Sequence, residues 1–179
     1  MEVYILIFFI LASAGLITYT LMYNRFQEYI IRINEAEANI DTVLRKRFDL
    51  LNKAINVIGG NTDHKEEILP MIVKLRSRKL TNFELDRLLY DAINEFNKFK
   101  DLYPELKESE AFIKIDTSLL ESESEIYALR KYYNDTITEY NKLVTAIPTN
   151  LIARFAKYKI KTYFDGKDMT DDIANDFKL

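Results

Sequence analysis

From Val3 to Asn24 the chain carries no charged residue, and from Arg25 onward apolar residues return at every third or fourth position as far as Ile147. The two patterns ask for two environments. The first run is 22 residues long, roughly 33 Å as a helix against a bilayer core of about 30 Å. It predicts a transmembrane anchor over residues 1–24 that meets the lipid bilayer through residues 3–24. A cleaved signal peptide is the competing reading, with Ala12-Ser13-Ala14 as its cleavage site. Against it, Glu2 stands where a basic residue belongs, and the run continues past Ala14 through Leu21 and Met22. Tyr4, Tyr19 and Tyr23, near the ends, suit the membrane interfaces.

Beyond Arg25 the spacing predicts long amphipathic helices. Phe26, Tyr29, Ile33, Ala36, Ile40 and Val43, then Leu50, Ala54 and Val57, form a heptad stripe interrupted once, by Arg47. Gly59-Gly60 is expected to stop this helix, with Asn61-Thr62-Asp63 capping the next. Ile68, Leu69, Ile72 and Leu75 mark a second helix that Pro70 kinks or starts late. Thr81-x-x-Glu84 reads as a capping box, so the middle helix is continuous or broken near residues 76–82; Leu85, Leu89, Ala92, Phe96 and Phe99 then carry the spacing to a stop at Tyr103-Pro104. The last helix, Glu108 to Ile147, is the clearest. Phe112, Ile115, Leu119, Ser122, Ile126, Leu129, Tyr133, Thr136, Tyr140, Leu143 and Ile147 alternate threes and fours without a slip.

Helices with so narrow an apolar strip need partners along their whole length. The expected fold is therefore all-α: an elongated antiparallel bundle of three long rods over residues 25–147, with the anchor running directly into the first. In that order the first rod leaves the membrane, the middle returns and the last leaves again, which places Pro148 at the far end. Thr149 to Phe164 would reach back only about 24 Å even as perfect helix. Residues 148–164, basic and aromatic, are thus expected to pack on the distal end, and residues 165–179, with five Asp against two Lys, to form an acidic tail.

Composition narrows the chemistry. The 179 residues include no cysteine, one histidine and four glycines, with a net charge of −3. Thiol chemistry, disulfides and cysteine-based metal centres are excluded, phosphate-cradling glycine loops have little material, and the acidic balance argues against nucleic acid as a partner. His64 sits in an Asp-His-Lys-Glu-Glu helix start. It cannot supply the two Glu-x-x-His motifs of a di-iron bundle, since Asn61 stands three residues before it. No catalytic residue, cofactor or metal is expected, and the chain reads as a non-enzyme. Glu121, Glu123 and Glu125 read as a solvated face; Glu121 and Glu125 share a side and Glu123 does not. Arg25 and Arg32 follow the apolar run closely, so the positive-inside rule favours the amino end outside and the body in the cytoplasm.

A few seam residues stand out. Arg47 on an apolar stripe either pairs with an acid of the last helix, Glu123 or Glu125, and fixes register, or packs its stem and sends its head to water. Tyr133 and Tyr140 fall on the seam and are expected to pack in the core. Asn134 and Asn141, one position on, tie helices together or meet a partner. Arg154, Lys157 and Lys161 form, with those asparagines, the candidate partner surface. Ala12-Ser13-Ala14-Gly15 offers a close-approach face, so homo-oligomerisation stays open.

Tyr23-Asn24, Ile40-Asp41, Arg45-Lys46-Arg47-Phe48-Asp49-Leu50, Tyr103-Pro104-Glu105-Leu106-Lys107, Tyr133-Asn134, Tyr140-Asn141, Ile147-Pro148 and Tyr163-Phe164-Asp165 follow one another along the chain. In that order they resemble the LemA family of bacterial membrane-anchored helical proteins. The chain departs from the family's pattern at Ala36-Glu37-Ala38-Asn39, at Leu51-Asn52, and at Lys157-Tyr158, where the family customarily has Gly-Phe. The resemblance implies a helical bundle on one amino-terminal membrane helix, serving as a scaffold for a membrane or cytoplasmic protein partner. Accessory subunit of a membrane enzyme such as a metalloprotease is the alternative it implies, and a hydrolase the most distant one.

Overall fold

The computed structural model describes residues 1–61, 80–102 and 109–164. Among the described residues there are four helices and no strand: α1 (Glu2–Asn61), α2 (Asn82–Leu102), α3 (Glu110–Thr145) and the short α4 (Thr149–Phe155). His64, the expected helix around Pro70, Tyr103-Pro104 and the acidic tail lie outside the described residues.

α1 runs without a break from the uncharged stretch into the amphipathic one. It also passes through Gly59 and Gly60 to Asn61, so the expected stop at the glycine pair does not occur. A glycine inside a helix costs about 1 kcal/mol against alanine, which weakens a helix without terminating it. α2 begins at the capping box: the Thr81 N–H donates to Glu84 Oε2 at 2.9 Å, and the Glu84 N–H donates to Thr81 Oγ1 at 3.3 Å.

The buried positions of α1 are Phe26, Ile33, Ala36, Ile40, Val43, Leu44, Arg47, Leu51, Ala54 and Ile55. The strict heptad continues to Leu50 and Val57, but burial moves to Leu51 and Ile55 instead. A straight helix turns once per 3.6 residues and drifts by about 20° per heptad from a 3.5 repeat, so the buried edge rotates onto the next residue. On α3, Ile147 is 85% exposed, because the helix ends at Thr145 before the seam position is reached.

Phe26 of α1 meets Tyr140 of α3, while Arg47 meets Glu123. Higher in α1 means lower in α3, so the two are antiparallel. α2 is likewise antiparallel to α3, through Asp86 with Arg130 and Phe96 with Phe112. The expected three-rod order would have set the last helix parallel to the first. In the structure α2, antiparallel to α3, runs the same way as α1 instead: Asn82 Nδ2 donates to the Glu37 carbonyl at 3.2 Å, so α2 starts beside the middle of α1.

The described helices form two compact units. One joins Met1–Ala36 to Tyr132–Tyr163, around Phe26, Ile33, Ile137, Tyr140 and Ala153. The other comprises Glu37–Lys131 with Phe164; Leu44, Leu51, Leu89, Phe96, Phe112 and Ile126 are buried in it.

Candidate functional site

In the first unit the chain leaving α3 folds back onto α1. Thr149 Oγ1 lies 2.6 Å from the Leu143 carbonyl and 2.9 Å from that of Ala146, which satisfies acceptors that α3 leaves open at its end. α4 closes with a paired turn. The Tyr158 N–H donates to the Ala153 carbonyl at 2.9 Å and the Lys157 N–H to that of Arg154 at 3.3 Å, while Lys157 takes the left-handed conformation at φ 58°. The following strand of backbone is held by Asn141, whose Nδ2 donates to the Lys161 carbonyl and whose Oδ1 accepts the Lys161 N–H, both at 2.8 Å.

Tyr158 is the hinge of this arrangement. Its hydroxyl accepts from Gln27 Nε2 at 2.7 Å, and its ring lies 4.8 Å from that of Phe26, which in turn stands edge-on to Tyr140 at 6.2 Å. Tyr23 and Tyr19, at the end of the uncharged run, are among its electrostatic neighbours. Burial pushes the Tyr140 hydroxyl above the ordinary tyrosine value, with nearby Tyr158 adding to it. Burial also raises Tyr158, with the Gln27 hydrogen bond opposing. These contacts overturn the expected place of residues 148–164. They pack on α1 just past Asn24, not on a distal end, because α3 is antiparallel to α1 and its last turns run back toward the uncharged stretch.

The candidate partner residues divide accordingly. Asn141 is occupied within the chain. Asn134 is half-buried, its carbonyl accepting from Thr138 Oγ1 at 2.9 Å. Tyr133 is half-buried against the core that contains Tyr140. Arg154 and Lys157 are exposed and Lys161 is half-buried. No acidic residue occurs between Ala146 and Phe164.

In the second unit, Arg47 is 1% exposed and its Nη2 donates to Glu123, while its Nε is buried without an acceptor. Of the two acids named from sequence, Arg47 thus takes Glu123. Glu125 accepts from the adjacent Lys46 Nζ at 3.0 Å. Glu123 and Glu125 themselves are half-exposed. A second buried pair was not anticipated: Arg130 Nη2 donates to Asp86, which is 2% exposed, and the guanidinium lies 5.7 Å from the centre of the Phe164 ring. The sequence held a signal for it, since Asp86 precedes Leu89 by three positions and so shares its buried face. Among the described residues no cluster of three or more His, Cys, Asp or Glu is arranged to hold a metal ion.

The sequence model of the LemA family matches residues 36–177. The chain belongs to the LemA family. The match takes in the Arg47–Glu123 and Asp86–Arg130 pairs, Asn141 and the whole of α4. It begins after the uncharged run of α1, so the character of that run rests on its own residues. A curated relative, "Protein LemA" of Metamycoplasma hominis, is 28% identical over 130 residues, covering 68% of this chain. The aligned part spans 59% of that relative's length. Within the matched residues, Lys157 holds the left-handed backbone that glycine would adopt without strain.

Proposed function

We propose that this chain is a single-pass membrane protein whose helical body acts as a scaffold for protein partners, with the amino end outside and the body in the cytoplasm. One observation supports the anchor. Every residue from Met1 to Leu21 is exposed on a continuous helix, and that stretch is long and apolar enough to cross a bilayer. Its polar side chains are turned inward on the helix. Ser13 Oγ donates to the Phe9 carbonyl at 2.6 Å, Thr18 Oγ1 to that of Ala14 at 2.9 Å and Thr20 Oγ1 to that of Leu16 at 2.9 Å. Such back-bonding suits lipid, where no water can serve a free hydroxyl. A tether of this kind raises the effective concentration of whatever the body binds. We assign no reaction to the chain.

The reading predicts that the protein stays in the membrane pellet through an alkaline carbonate wash; release into the supernatant would overturn the anchor. With no natural cysteine, the variants Glu2→Cys and Tyr127→Cys can be treated on intact cells with an impermeant thiol reagent. Labelling at position 2 alone is expected, and labelling at position 127 alone reverses the orientation. Photo-cross-linking from exposed helix faces should capture several partners. Recovery of a single membrane enzyme in stoichiometric amount would replace the scaffold with an accessory subunit.

A further inference from the structure

The fold leaves an unusual surface beside the end of the uncharged run. Leu151 and Phe155, four apart on α4 and so on one face, are 56% and 86% exposed, and Ile160 is 61% exposed. Arg154, Lys157 and Lys159 are exposed among them. A phenylalanine that open to water gains nothing from folding, and cations interleaved with apolar side chains without any acid are the composition of a segment lying in a membrane interface.

Its position fits. Phe26, on which Tyr158 stacks, is two residues past Asn24, roughly 3 Å along the helix. α3 continues beyond Tyr140 for five residues to Thr145, about 7.5 Å further in the antiparallel direction. The turn into α4 is thereby brought about 4.5 Å past the end of the run on its apolar side, at the boundary between the headgroup layer and the bilayer core. A protein partner could use the same side chains, but nothing places one there, whereas continuity with the uncharged helix places a bilayer there.

We propose that Leu151, Phe155 and Ile160 insert at the headgroup–acyl boundary while Arg154, Lys157 and Lys159 bind the phosphates of anionic lipids, making residues 147–161 a collar around the anchor. The proposal rests on the membrane-anchor reading, and its test separates the two. The chain has no tryptophan, so Phe155→Trp and Tyr4→Trp each install a single fluorophore. Each full-length variant is reconstituted in vesicles of brominated phosphatidylcholine, with or without about 30% anionic phosphatidylglycerol. Tyr4→Trp should be quenched in both lipids; if it is not, the anchor reading falls and the collar with it. Phe155→Trp should be blue-shifted and quenched in anionic vesicles, less in neutral ones and less in about 0.5 M salt. Adding Arg154→Gln, Lys157→Gln and Lys159→Gln should weaken docking about fivefold per cation removed. A quenched Tyr4→Trp with an unquenched Phe155→Trp overturns the collar. Equal quenching of Phe155→Trp in both lipids, unchanged by salt and by the triple substitution, overturns the role given to the cations.

Discussion

In the first unit several neutral groups join one segment to another. Gln27 holds Tyr158, Asn141 holds the backbone of Lys161, and Phe26 sits between two tyrosine rings. In the second, ion pairs do so beside neutral contacts such as that of Asn82 with the Glu37 carbonyl: Arg47 with Glu123, Lys46 with Glu125, Arg130 with Asp86. Asn141 gives one hydrogen bond and takes another, both with backbone and neither with a charged group. Among the described residues, Arg47 Nε, Arg130 Nε and Asp86 Oδ1 in the second unit are buried without partners, as is the amide oxygen Asn150 Oδ1 in the first. Buried ion pairs add little net stability, because desolvation offsets their attraction, yet breaking one is expensive. The comparison teaches that the second unit adds charge to neutral contacts in selecting which residues meet, whereas the contacts described in the first are neutral.

That difference can be broken by mutation. The largest effect should come from Phe26→Ala, which removes a fully buried ring and should cost about 4 kcal/mol. Hydrogen exchange should quicken at the Tyr158 and Lys161 amides, and unchanged protection there would refute the packing described. Next, Glu123→Ala strands the Arg47 charge and should cost about 2 kcal/mol, less than for a fully buried pair because the carboxylate is half-exposed. Arg47→Met should be close to neutral in the same denaturation assay, since a hydrophobe of similar volume leaves no orphaned charge. Equal losses from both substitutions would show that the pair contributes stability outright.

Lys157→Gly should raise stability by about 1 kcal/mol by relieving the left-handed backbone, while removing a cation from the proposed collar. A lower melting temperature would show that the lysine stem contributes more than its conformation costs. The smallest effect is alkaline. Tyr140 and Tyr158 titrate above the ordinary tyrosine value of 10.0 when folded. Above that pH the unfolded chain releases protons first, the folded chain binds more, and stability falls as pH rises. Melting temperatures taken between about pH 8 and 11 should decline only at the upper end, with a shallower slope in Tyr140→Phe.

Much of the fold was legible in the sequence because helix seams are local. Phe26, Ile33, Ala36 and Ile40, like Phe112, Leu119, Ser122 and Ile126, are buried where the three–four spacing puts them. The Thr81–Glu84 capping box was legible for the same reason. What failed was non-local. The direction of α2 relative to α1 rests on contacts such as that of Asn82 with Glu37, 45 positions away, and the expected place of residues 148–164 rested on the opposite direction. Asp86 was passed over because an acid between Leu85 and Leu89 looks solvated until Arg130 of another helix arrives. Arg47 was noticed because it interrupts a stripe, although sequence left both Glu123 and Glu125 as its partners.

The unbroken passage of α1 from Val3 through Ile33 has a mechanical consequence. A helix with no joint transmits angle. In the proposed setting, a 22-residue stretch of roughly 33 Å exceeds a hydrocarbon layer of about 30 Å, and exceeds one of about 27 Å by more, and leaning takes up the excess. The aromatic cluster fastened to Phe26 leans with it. In the proposed setting, bilayer thickness would steer how far the collar dips toward the lipid on one side and lifts from it on the other.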